Sequence, residues 1–235
     1  MSQHRPGPPP GNRPAPPRSL AVERRWGQRC LAYFLCIRPD SQAIAGFAAI
    51  QDALAALERS LLRVPKEALH ISVAWLLPVH KEYGEDKDVL WERHGADWQA
   101  AISGALTARP RFTLGFRELA ATDTAVIAIA SAPNPVTPLR QELAAGMGMA
   151  ATLGTAQNLS TGELVHATLF RYGAPLEDPA RLRERLDDLT AAVEVPVSEM
   201  CVARELVFPC LDYEIIHRFP LAPAPDRGCH QPQEG

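Results

Sequence analysis

Leu69-His70-Ile71-Ser72-Val73-Ala74 and Val165-His166-Ala167-Thr168-Leu169-Phe170-Arg171 are two short apolar runs, each carrying an imidazole and, two residues on, a hydroxyl. Runs of this length predict buried strands, and side chains along a strand alternate between its faces. His70 and Ser72 therefore share one face, as do His166 and Thr168. Ile71, Val73, Ala167 and Leu169 point to the other. The two histidines stand 96 residues apart, so each half of the chain holds one copy. A single His-x-Ser or His-x-Thr tripeptide is common and ordinarily marks a satisfied strand histidine. Two copies in matching apolar settings favour a paired site. The remaining histidines lack that setting. His4 and His230 lie in polar tails, His80 follows a proline, His94 sits in a polar helical stretch and His217 has no such hydroxyl.

Working outward, strand-like and helix-like segments alternate. Leu31–Ile37 predicts a first strand, closed by Arg38-Pro39-Asp40. Ser41 to Leu62 has helical spacing, with Ile44, Phe47, Ile50, Leu54, Leu57 and Leu61 on one stripe. Leu69–Leu77 is a second strand and residues 86–107 a polar helix. Arg111–Ala120 and Thr124–Ala130 predict a hairpin turning at Thr122-Asp123. A helix over Pro138 to Met149 follows, then a strand over Leu164–Tyr172 and a charged helix over Asp178–Val193. Val197–Phe208 and Tyr213–Phe219 close the chain as a strand pair. This order predicts an α+β fold of two ferredoxin-like lobes related by a pseudo-twofold axis, their antiparallel sheets lining a central cleft.

Composition bounds the rest. The chain has 235 residues, 46% hydrophobic and 22% charged, enough for one domain with a sizeable core. Residues 1–25 are Pro-rich and carry a net charge of +4, which predicts a disordered basic tail. Residues 26–221 form the expected bilobal domain and residues 222–235 a flexible tail. The whole chain is at −3, so the part after the basic tail is at −7. An acidic body is poorly suited to tracking extended nucleic acid, which depends on neutralising many phosphates. A small nucleotide or an RNA end, held by a few local groups, remains compatible. No apolar run is long enough to span a membrane, and no signal-peptide core is present. Five cysteines without a C-x-x-C pair argue against a disulfide scaffold or a structural zinc site and fit a reducing, cytoplasmic setting. A monomer with no cofactor is expected.

The chemistry suited to the motifs is phosphoryl transfer without a metal. An imidazole titrating near ~6.5 serves as base or acid close to neutrality. Two of them flanking one phosphorus can activate a nucleophile and protonate the leaving oxygen, each worth roughly 10²–10⁴-fold. Ser72 and Thr168 suit donation to the non-bridging oxygens. A zinc site through His70 and His166 lacks a third ligand at plausible spacing, so no metal is expected. On ideal alternation Phe170 shares the face of His166 and Thr168, where it is a candidate to stack a base. Arg171 then falls on the opposite face and reaches a phosphate only through a twist or a strand end. Tyr33 is a further aromatic candidate.

At these residues the chain resembles the 2H phosphoesterase superfamily, which includes 2′-5′ RNA ligase-like proteins and RNA 2′,3′-cyclic phosphodiesterases. His166, Thr168, Leu169 and Arg171 look like its second H-x-T-L-x-R motif. Arg38-Pro39-Asp40 after the first strand, and Phe219-Pro220-Leu221 at the close, are similar too. Ser72 stands where threonine is usual in the ligase-like branch. The resemblance implies hydrolysis of a 2′,3′-cyclic phosphate on a nucleotide or RNA end, with 2′-5′ RNA ligation as an associated activity. His70, Ser72, His166 and Thr168 are then catalytic, and Arg171, Phe170 and Tyr33 bind substrate. A catalytically silent nucleotide- or RNA-end-binding module of the same fold is the alternative.

Overall fold

The computed structural model describes residues 20–56, 58–147 and 164–223. The expected tails fall largely at 1–19 and 224–235, outside the described residues. Nine strands form one sheet: β1 (Arg29–Ile37), β2 (Leu61–Arg63), β3 (Ile71–Leu77), β4 (Phe112–Ala121), β5 (Ala125–Ala130), β6 (His166–Tyr172), β7 (Val193–Val197), β8 (Glu199–Val207) and β9 (Asp212–Pro220). Among the described residues four α-helices accompany them: α1 (Ser41–Ala55), α2 (Lys87–Leu106), α3 (Val136–Gly146) and α4 (Pro179–Asp188). Strand order is β7-β4-β5-β6-β3-β1-β8-β9, with β2 beside β6, and every strand pair is antiparallel. The α+β architecture with antiparallel sheet about a cleft is the one expected.

The two halves of the sheet are not the two halves of the chain. One half, β3-β1-β8-β9, takes strands from both ends of the sequence, and the other, β7-β4-β5-β6, takes its strands from between them. Helices interleave as well: α1 packs on β7, β2 and β6, and α4 on β4, whereas α3 packs on β3 and α2 on α3 and β9. The halves join where β3 meets β6, at the pair Ile71↔Ala167.

Local chemistry sets the element boundaries. Asp40, Asp86 and Asp178 cap α1, α2 and α4, each accepting a backbone N–H of the first turn. In α1, Ala43, Phe47, Gln51 and Leu54 face inward at helical spacing. Phe47 meets Phe116 edge to face at 5.2 Å, worth about 0.5–1.5 kcal/mol beyond its burial. The helix ends at Ala55 instead of running to Leu62. Glu58 accepts from both the backbone N–H and the hydroxyl of Ser60, a local turn that competes with helical bonding. Leu61–Arg63 is thereby released to pair with β6. Similarly, α4 stops at Asp188, and Val193, Val195 and Val197 alternate with exposed Glu194 and Pro196 to make the edge strand β7. Among the described residues no helix is long and apolar enough to cross a membrane.

Candidate active site

The pair Ile71↔Ala167 decides the site, because each residue stands between the histidine and the hydroxyl of its own motif. Continuing that antiparallel register by one residue sets His70 opposite Thr168 and Ser72 opposite His166. The imidazoles are then diagonal neighbours on one face, about 7–8 Å apart at the backbone. All four side chains line one cavity of about 160 Å³.

Strict alternation fails immediately after each hydroxyl, and in the same way. Leu35 pairs with Ala74 and Cys36 with Ser72, so Val73 is an extra residue against β1. Val126 pairs with Phe170 and Ile127 with Thr168, so Leu169 is an extra residue against β5. Both bulges fall three residues after the histidine, and each flips the facing of the residues beyond it. Trp75 and Arg171, each five residues after its histidine, therefore turn onto the face of the two histidines and line the cavity. His70, Ser72 and Trp75 on β3 and its approach thus match His166, Thr168 and Arg171 on β6.

Two buried polar side chains lock the bulges. Gln51 of α1, fully buried, donates through Nε2 to the carbonyls of Leu169 and Val64, both at 2.8 Å. Arg140 of α3 donates to Val73 O at 2.9 Å, Ser72 O at 2.8 Å and Leu164 O at 3.0 Å. It thereby ties the first motif to the entry of the second. Buried polar groups require partners, and the irregular carbonyls of a bulge supply them.

The bulges also correct two expectations. Phe170 is fully buried in the core and lies off the cavity, because the extra Leu169 rotates it away from His166 and Thr168. Tyr33 is buried too. Its ring stacks on Trp91 at 4.6 Å and its hydroxyl donates to the Asp88 carboxylate. It is not among the residues lining the cavity and packs β1 against α2. Arg171, by contrast, reaches the histidine-bearing face that ideal alternation denied it.

Electrostatics follow from burial. His70 Nδ1 lies 2.8 Å from the Ala68 carbonyl and donates to it, which leaves Nε2 as an acceptor. Burial pushes the His70 pKa down to about 4, against the opposing Ala68 bond. Burial, and then the Arg140 guanidinium, push His166 down to about 4. Both rings are neutral at neutral pH. Burial lowers the Arg171 pKa, and its Nε is buried without a hydrogen-bond partner among the described residues. A guanidinium stays charged nonetheless, so a buried cation faces the cavity.

Trp75, Glu205 and Arg25 also line the cavity without having been assigned to it from the sequence, and so does His80, which the sequence reading had set aside. Trp75 was recoverable from its matching offset to Arg171. Burial raises the Glu205 carboxyl, whose Oε1 accepts from Cys210 N at 2.7 Å and whose Oε2 is buried without a partner among the described residues. That bond holds the β8–β9 turn so that Phe208, Pro209 and Cys210 wall the cavity. Among the described residues no group of three or more His, Cys, Asp or Glu side chains is placed to hold a metal.

The fold is shared with solved structures. TT0787 of Thermus thermophilus superimposes with a TM-score of 0.62 at 20% identity, covering 82% of this chain and 98% of that one. Apo LigT of E. coli gives 0.54 at 12% identity, covering 83% and 99%. LigT complexed with 3′-AMP gives 0.52 at 13%, again covering 83% and 99%. No protein-family model and no curated protein matches the chain by sequence.

Proposed function

We propose that this chain is a 2H phosphoesterase that hydrolyses 2′,3′-cyclic phosphates of nucleotides or RNA ends by two-histidine acid–base catalysis. The observation that carries the reading is the register Ile71↔Ala167, which converges two imidazoles and two hydroxyls on one cavity. The shared fold with LigT, which has been solved with 3′-AMP, supports it.

In this reading the phosphate sits between the histidines. His70, with Nδ1–H committed to Ala68, takes a proton from water at Nε2 as the water oxygen bonds to phosphorus. His166 gives its proton to the ribose oxygen as the P–O bond breaks. Ser72 and Thr168 donate to the non-bridging oxygens, where charge builds. Arg171 neutralises the phosphate, and its field supports the charged intermediate. Solvent then restores both rings. His166 has to be protonated when the reaction begins, and the bound anion supplies the stabilisation that the empty site withholds.

The test is turnover of the four nucleoside 2′,3′-cyclic monophosphates, and of RNA ending in a cyclic phosphate, in the presence of EDTA. The expected result is metal-independent hydrolysis, reduced at least 10²-fold in both His70→Ala and His166→Ala. Full activity in either variant refutes the two-histidine mechanism. Tight nucleotide binding without turnover identifies a binding module instead.

A further inference from the structure

A second cavity of about 440 Å³ adjoins the first, and the two share Arg25, Val79 and Phe208. The smaller void holds about the volume of five waters, which suits a phosphate group and not a whole nucleotide. The larger falls within the usual range for small-molecule sites. Arg25 stands at the seam. Its guanidinium lies over the Phe208 ring at 4.6 Å, and Arg171 lies over the same ring at 5.5 Å.

Arg25 is held there by a strap. Ala21 N donates to Asp123 O at 2.6 Å and Glu23 N to Tyr172 O at 2.7 Å, which lays residues 21–23 along the end of β6. Gly27, at φ +73°, turns the chain into β1 and donates to Phe208 O at 2.8 Å. The buried Glu23 carboxylate accepts from Arg25 N at 3.1 Å and Nε at 3.4 Å, and lies 3.9 Å from Arg171. An internal carboxylate thus bridges two guanidiniums whose free faces meet the two cavities.

Arg29 lines the larger cavity alone and not the seam, and the other charges there are already engaged. Lys87 Nζ donates to the carbonyls of Leu31, Pro78 and Val79. Glu85 is paired with Arg93, and Asp86 caps α2. Glu82, the remaining acid of the lining, acts on Lys87. Arg25 is the cation placed to meet an anionic group spanning the seam.

We propose that the larger cavity is a second subsite for a further nucleotide unit, and that Arg25 grips the phosphate joining that unit to the reacting one. The substrate class is then an oligonucleotide end, or a nucleotide with an added 5′-phosphate, in preference to a bare nucleoside cyclic phosphate. This rests on the assignment of the smaller cavity to the reacting phosphate.

Calorimetry with adenosine 3′-phosphate and adenosine 3′,5′-bisphosphate isolates the second phosphate, and kinetics on adenosine 2′,3′-cyclic phosphate with and without a 5′-phosphate runs beside it. The wild-type protein should bind the bisphosphate about tenfold more tightly than the monophosphate, as a charge-assisted contact allows. In Arg25→Gln that ratio should fall to about one, and in Arg25→Lys to an intermediate value. Glu23→Gln should raise the bisphosphate affinity by removing the competing carboxylate, an increase that misfolding does not produce. A wild-type ratio near one, or a tenfold ratio retained in Arg25→Gln, overturns the subsite. The expected binding ratios without turnover of either cyclic phosphate would sink the catalytic reading and leave the subsite standing. Turnover of both cyclic phosphates at equal efficiency, with equal binding, does the reverse.

Discussion

Replacing Gln51 by methionine preserves side-chain length and removes the amide that holds the Leu169 bulge. Two buried bonds, to Val64 O and Leu169 O, are lost, together with a partly exposed one from Arg63 Nε to Gln51 Oε1 at 3.1 Å that contributes little beside them. Leu169 O keeps a second donor in Val64 N at 3.0 Å, whereas the Val64 carbonyl is left buried without its partner. At about 1 kcal/mol per bond plus about 1–2 kcal/mol for the orphaned carbonyl, the cost is roughly 3–4 kcal/mol. For a domain of this size that lowers Tm by roughly 6–15 °C. The functional effect is separate. Thr168 and Arg171 straddle Leu169, so a bulge free to shift by about 1 Å misplaces one against the other, at a cost approaching 10²-fold in kcat. The assay is kcat on a cyclic phosphate at a temperature well below the variant's own melting point, beside a thermal melt. Phe47→Leu, which weakens the same helix at its contact with Phe116 and touches neither motif, is the comparison. It should lower Tm and leave kcat within about twofold. A Gln51→Met protein that loses stability but turns over at the wild-type rate would refute the clamp.

Further outcomes rest on the same geometry. Arg171→Lys keeps a charge but loses the fork, so KM for the cyclic phosphate should rise about tenfold; an unchanged KM removes Arg171 from the phosphate site. With both histidines near 4 in the free protein, kcat/KM should fall as pH rises from 6 to 8, because the protonated acid becomes scarcer. The kcat profile should sit at higher pH, since bound phosphate raises His166; coincident profiles would contradict that. The same depressed values make the fold acid-labile. Between 6.5 and about 4 the unfolded chain binds protons that the folded one excludes, so stability is retained above 6.5 and lost as pH falls through this window. Urea titrations at pH 7 and pH 5 should show a smaller loss for His70→Gln than for the wild-type protein.

The strands bearing the motifs were legible because alternation of apolar and functional residues is a local signal. Their parity beyond Ser72 and Thr168 was not. The bulges depend on Gln51 and Arg140, which lie 118 and 67 residues from the carbonyls they bind, and no short window contains such a pair. That distance is why Phe170 was placed on the wrong face and Arg171 on the right one only by exception. Tyr33 was misread because its partners, Trp91 and Asp88, sit on α2, with α1, β2 and β3 between it and β1. Arg25 lay in a segment whose composition advertised a loose tail. Only its last residues, with an apolar flank and a buried glutamate, carry the strap. β2 was hidden inside an apparently continuous helical stripe that Glu58 and Ser60 interrupt.

The interleaved sheet has a consequence for the order in which the molecule comes into being. The half that carries β3 requires β8 beside β1, and β9 beside β8, so its ladder closes only after residues near 220 have been made. During synthesis at about 5–20 residues per second, β1 waits roughly 6–26 s with one edge unpaired and the other shielded by β3. The strand is apolar throughout its second half and thus a template for any other chain in reach. Such long-range closure is slow by nature. Yield in a cell should therefore depend less on final stability than on how well that waiting edge is guarded.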